Sequence, residues 1–100
     1  MAKAGGIPRL TGMETLILEL VGSGEMYGLQ LVTASRGKLK RGSVYVLLGR
    51  MEEKGLVEAR AEEKPAHAGM PRRLYRATSL GRRVLDAWSL MAAALAPGRA

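Results

Sequence analysis

Apolar residues recur at helical spacing in four stretches of the chain and alternate with polar ones in two. Met13, Leu16, Ile17, Leu20 and Val21 stand at i, i+3, i+4, i+7 and i+8 and predict one buried stripe on a first helix. Thr11-Gly12-Met13-Glu14 at its start is a T-x-x-E capping box, in which each side chain satisfies a backbone amide. Gly22-Ser23-Gly24 ends it. A second helix is expected over 26–35, with Leu29, Val32 and Leu31 inward. It is short and carries Gly28, so neighbouring packing must hold it. A third helix is expected after Ser43 as N-cap, with Val44, Leu47, Leu48 and Met51 as its stripe and Gly55 just past its end in a left-handed cap.

From Leu56 to Glu62 the pattern changes to strict alternation, Val57, Ala59 and Ala61 against Glu58, Arg60 and Glu62, which predicts a strand. Residues 63–71 hold two prolines and a glycine and read as a hairpin tip, and 72–78 as the returning strand, with Leu74 and Tyr75 on opposite faces. A last helix begins near Thr78 or Ser79; Leu80, Val84, Trp88, Met91 and Leu95 form its stripe, widened by Leu85 and Ala92, and Pro97-Gly98 stops it. Residues 1–10, with Gly5, Gly6 and Pro8, have no periodicity and are expected as a loose arm. The expected organisation is therefore an arm (1–10), a domain (11–79) and a final helix (80–96). The order is helix, helix, helix, strand, strand, helix. The fold class is mainly α with a two-stranded β-hairpin, the plan of a winged helix-turn-helix.

Length and composition narrow this further. One hundred residues suffice for one compact domain, and an apolar content of 47% with one Trp, three Tyr and no Phe requires an aliphatic core. Without cysteine the chain has no disulfide, thiolate metal site or Cys nucleophile, and the single His67 cannot build a His-rich metal site. No apolar run reaches the ~18 residues of a membrane span, and the start lacks the apolar core of a signal peptide; a cytoplasmic protein is expected. No paired carboxylates, Ser–His–acid set or phosphate-binding Gly loop stands out, so no enzyme activity and no cofactor are expected.

Charge points to a partner. Sixteen Lys and Arg against nine Asp and Glu leave a formal charge of +7, which suits a polyanion. Its distribution says more than its total: Arg36, Lys38, Lys40, Arg41 and Arg50 fall within 36–50, where no acid occurs. That run leads into the third helix, whose amino end itself favours phosphate and whose width matches a DNA major groove. At the expected wing, Lys64, His67 and Arg73 are candidate backbone contacts. Trp88, Met91, Ala92 and Leu95 continue the last helix's stripe beyond what the core needs, and with Val84 and Leu85 are the expected homodimer interface. Such a dimer sets two reading helices about 34–36 Å apart on a palindromic operator.

Three blocks carry a family resemblance: Tyr27-Gly28-Leu29; residues 42–57, from Gly42-Ser43-Val44-Tyr45 to Lys54-Gly55-Leu56-Val57; and 72–81, Arg72-Arg73-Leu74-Tyr75-Arg76-Ala77-Thr78-Ser79-Leu80-Gly81. Together, over residues 10–86, they resemble the PadR family of bacterial transcriptional regulators, in its compact form with a single dimerising helix. The resemblance implies a sequence-specific regulator of transcription that binds double-stranded DNA, most simply a repressor. It implies contacts from Ser43 and Tyr45 in the first turn of the recognition helix and from Tyr27 at the start of the second helix. Gly42, just before the recognition helix, and Val46 and Arg50 on it complete the candidate contacts; Val46 stands where the family commonly has proline. In some compact members a tryptophan on the last helix stacks on flat aromatic drugs, which makes Trp88 a candidate contact for a small aromatic effector. Plain interface packing is the other reading of Trp88. Two other functions stay open: a winged-helix module that meets a protein or RNA, and a non-specific architectural DNA binder.

Overall fold

The computed structural model describes residues 9–62 and 72–95. Their elements are α1 (Gly12–Val21), β1 (Met26–Tyr27), α2 (Gly28–Ala34), α3 (Arg41–Glu53), β2 (Val57–Ala61), β3 (Arg73–Ala77) and α4 (Ser79–Leu95). The strands form one antiparallel sheet in the order β1-β3-β2, with Met26 opposite Tyr75, Val57 opposite Ala77 and Ala61 opposite Arg73. This is the expected winged helix-turn-helix, with one addition. The hairpin gains a third, two-residue strand, because Met26 and Tyr27 pair with β3 before the chain turns into α2. The second helix accordingly starts at Gly28, where the Tyr27 amide donates to Gln30 Oε1 at 2.7 Å.

The core is aliphatic. Ile17, Leu18, Leu31, Val44, Leu48, Met51 and Leu56 are fully buried, each contributing roughly 1.5–3 kcal/mol by leaving water. Tyr75 and Ala77 close it from the sheet, and Val84 from α4. The expected stripe on α1 is displaced: Glu14, Ile17, Leu18 and Val21 face inward, while Met13 is exposed and Leu16 and Leu20 lie on the flank. Leu18 extends an apolar row that the 13–16–17–20–21 spacing had left out, and the inward place of Met13 goes to an acid. Glu14 closes the capping box with Thr11 and accepts a hydrogen bond from Lys54 Nζ at 2.9 Å, tying the start of α1 to the end of α3. Burial alone would raise its carboxyl pKa; the Thr11 amide and the Lys54 ammonium outweigh that and hold it below its ordinary value.

Two further corrections concern the helix-turn-helix itself. On α2, Leu31 is buried and Val32 half-buried as expected, but Leu29 is exposed. The cap of α3 is Lys40, not Ser43: the Lys40 carbonyl accepts from the Ser43 and Val44 amides at 3.1 and 2.9 Å, which places Ser43 within the first turn. The cause lies one residue earlier. Leu39 is buried in the core and its amide donates to Ser35 Oγ, so the connection is pinned and the helix begins sooner.

Two glycines set interelement distances. A Cβ on Gly81 would overlap the Leu56 carbonyl oxygen, so α4 packs directly on the backbone before β2. A Cβ on Gly28 would stand 2.5 Å from the Tyr45 ring, so Tyr45 packs directly against the start of α2.

Candidate nucleic-acid interface

Since α3 buries Val44, Leu48 and Met51, its opposite side is offered outward. Val46 is 55% exposed and Tyr45 49%, and Gly42, Ser43 and Arg50 are exposed with them. Leading into that helix, Arg36 (φ 55) and Gly37 (φ 88) turn the chain in the left-handed region, and Lys38, Lys40 and Arg41 follow, all exposed. The sequence-predicted contacts from Lys38 to Arg50 are thus all exposed, along the connection before α3 and the first three turns of that helix.

The electrostatics of this segment differ from those of the sheet. Glutamates pair with Lys54, Arg60, Arg72, Arg73 and Arg76. Arg36, Lys38, Lys40 and Arg41 have no such pair among the described residues. Their charge is uncompensated locally and available to an external anion. Arg50 is intermediate, because its charge also helps lower the pKa of Glu14.

At the root of the wing the predicted residues are differently placed. Arg73 reaches Glu52 at 3.3 Å, from β3 to α3. Tyr27 is half-buried, and the guanidinium of Arg72 lies 4.2 Å from its ring centroid. Arg72 is a residue the sequence reading passed over as a contact; its one signal was adjacency to Arg73. Glu62 Oε1 is buried, has no hydrogen-bond partner among the described residues and stands 3.5 Å from Arg72 Nε. Tyr75 is buried in the core while Leu74, on the opposite face of β3, is half-buried, and burial pushes the Tyr75 phenol pKa up. Between α2, α3 and β3 lies a mostly apolar cleft of about 260 Å³ walled by Tyr27, Leu29, Tyr45 and Tyr75, with Arg72 and Arg73 at its edge. Lys64 and His67 lie outside the described residues.

Of the residues expected at a dimer interface, Val84 belongs to the chain's own core, which leaves it little surface for a second copy. Leu85 and Trp88 are half-buried, and Met91, Ala92 and Leu95 are exposed, as is Leu90. Leu10, Glu19, Leu85, Trp88 and Ala92 border a shallow groove between α1 and α4. Among the described residues no helix is long and apolar enough to cross a membrane, and no cluster of three or more His, Asp or Glu could hold a metal ion.

These features agree with comparisons to known proteins. No curated protein matches the chain. Among solved structures it is similar to a PadR family transcription regulator from Clostridium difficile, at 25% identity over 81% of this chain and 86% of that one, with a TM-score of 0.71. It is similar to a second PadR family regulator, from Eggerthella lenta, at 29% identity over 84% and 74% of the two chains, with a TM-score of 0.70. In fold it is like Bacillus subtilis PadR, solved with operator DNA, at 19% identity over 80% of this chain and 49% of that one, with a TM-score of 0.72. The family model for the PadR-like transcriptional regulators matches residues 17–87. The chain therefore belongs to the PadR-like family of transcriptional regulators.

Proposed function

We propose that the protein is a homodimeric regulator that binds a palindromic operator in double-stranded DNA and represses by occupying promoter DNA. One observation carries this reading: four exposed cations without ion-pair partners among the described residues lead into a helix whose outer face is open. Lys38, Lys40 and Arg41 neutralise phosphates, Ser43, Tyr45, Val46 and Arg50 enter the major groove, and Tyr27 and Arg73 meet the backbone beside it. The operator complex of a protein of like fold supports this use of the fold. The exposed end of α4, with Met91 and Leu95, joins two copies, and Trp88 lies beside it where a small aromatic effector would stack. The cytoplasm, where promoter DNA lies, is the compartment that fits.

Selection of bound duplexes from a random pool tests the reading. A two-fold symmetric consensus, bound with an affinity that falls steeply as salt rises, is the expected result. Salt-sensitive binding without sequence preference would replace it with an architectural role.

A further inference from the structure

We infer that Val46 is a base-reading side chain of α3, its methyl groups meeting the C5-methyl of thymine, and that Gly42 and Gly49 let the helix backbone come close enough for that contact. The inference rests on the DNA-binding reading above and adds the base feature that is read.

Gly42, Val46 and Gly49 stand at i, i+4 and i+7 of α3, on the side opposite Val44, Leu48 and Met51. An exposed valine alone means little; its setting is what matters. Gly28 and Gly81 are explained by neighbours that a Cβ would strike, and Gly55 by a φ of 77°. Gly42 and Gly49 have neither reason: neither adopts a positive φ, and a Cβ on either would meet nothing within 4 Å. Glycine inside a helix weakens it, and nothing within the described residues offsets that at Gly49. Gly12 at the start of α1 is equally open, so Gly49 in the helix interior is the telling position; close approach by something outside the chain accounts for it, with Gly42 on the same side of α3.

Charge identifies what approaches. Lys40 and Arg41 flank the amino end of the helix, on the Val44 side of it, and Arg50 stands at the edge of the strip, while Glu53 lies on the strip one turn beyond Gly49. An anionic surface is thus met over the first turns of the helix and repelled at its end. The surface must be anionic at its borders and offer an apolar group between them. A major groove has phosphates along both walls, and thymine places a methyl group on its floor. Ser43 and Arg50, flanking Val46, are placed to hydrogen-bond the neighbouring base edges.

The test uses duplexes selected by the intact protein. Each thymine in the consensus is replaced in turn by deoxyuridine, which removes only the methyl group. At one or two symmetric positions the affinity should fall roughly four-fold, the effect of one buried methyl group. In Val46→Ala the same replacements should change affinity by less than about two-fold, the signature of a direct pair. Gly49→Ala should raise the melting temperature yet weaken binding, which a purely structural glycine would not do. Equal sensitivity to deoxyuridine in the intact protein and Val46→Ala, or unchanged binding by Gly49→Ala, would overturn the inference alone. Failure to select any duplex would overturn it together with the DNA-binding reading.

Discussion

Arginine and lysine serve two different purposes in two regions of this molecule. On the sheet, Arg60 is held by Glu25 at 2.8 Å and Arg76 by Glu58 at 2.7 Å; Arg72 and Arg73 face Glu62 and Glu52. In the connection before α3, Arg36, Lys38, Lys40 and Arg41 face none among the described residues. A total charge of +7 therefore misstates the surface. Paired cations leave little field at a distance; of those without a pair among the described residues, Arg36, Lys38, Lys40 and Arg41 cluster before and at the start of α3, and Arg82 and Arg83 stand on α4. Total charge suggests a polyanion partner; pairing indicates which face meets it.

The largest effect expected from this contrast follows removal of the unpaired cations. Lys40→Ala combined with Arg41→Ala should weaken duplex binding by about ten-fold or more at moderate salt and reduce the slope of log affinity against log salt by ~2. The melting temperature should stay nearly constant, since neither side chain has an ion pair to lose among the described residues. Anisotropy titrations at several salt concentrations, with a thermal melt, measure both.

Glu14→Ala should do the opposite, costing about 2 kcal/mol of stability through a lost cap and a buried hydrogen bond while leaving the binding face untouched. Because the folded-state pKa of Glu14 lies below its ordinary 4.5, its contribution is full above that pH and is lost as pH falls through the folded value. Denaturant melts across acidic pH should show this loss in the intact protein and a flatter profile in Glu14→Gln.

A smaller effect is expected where the two regions touch. Glu52→Gln releases Arg73 and removes an acid near the proposed contact surface, so binding should tighten about two- to three-fold at low salt, with the gain screened away at high salt. Smallest of all, Arg60→Ala should change stability by less than about 1 kcal/mol and affinity hardly at all. A loss of binding as large as that of the Lys40–Arg41 pair would erase the distinction between the two regions.

Much of the fold was legible in the sequence, because it rests on local signals. The Thr11–Glu14 box, the Val44–Leu48–Met51 stripe and Gly55 past the end of α3 are set by residues within a few positions of each other. What escaped depends on distant partners. β1 is two residues long and exists only because β3 lies beside it. Glu14 takes an inward place because Lys54, forty positions away, meets its charge. Lys40 caps α3 because Leu39 is drawn into the core. The basic candidates from Lys38 to Arg50 were visible as a run without acids, but the occupation of Arg73 by Glu52 and of the Tyr27 face by Arg72 was not, since each joins separate segments.

The central claim is that the unpaired basic end of α3 is the surface that meets DNA. Its most direct measurement is the change in backbone amide signals as the isotopically labelled protein is titrated with its selected duplex. Signals from residues 36–50 should move most, with those around Glu25, Glu58, Arg60 and Arg76 nearly still. Movement centred on that outer face of the sheet, with 36–50 unmoved, would contradict the account.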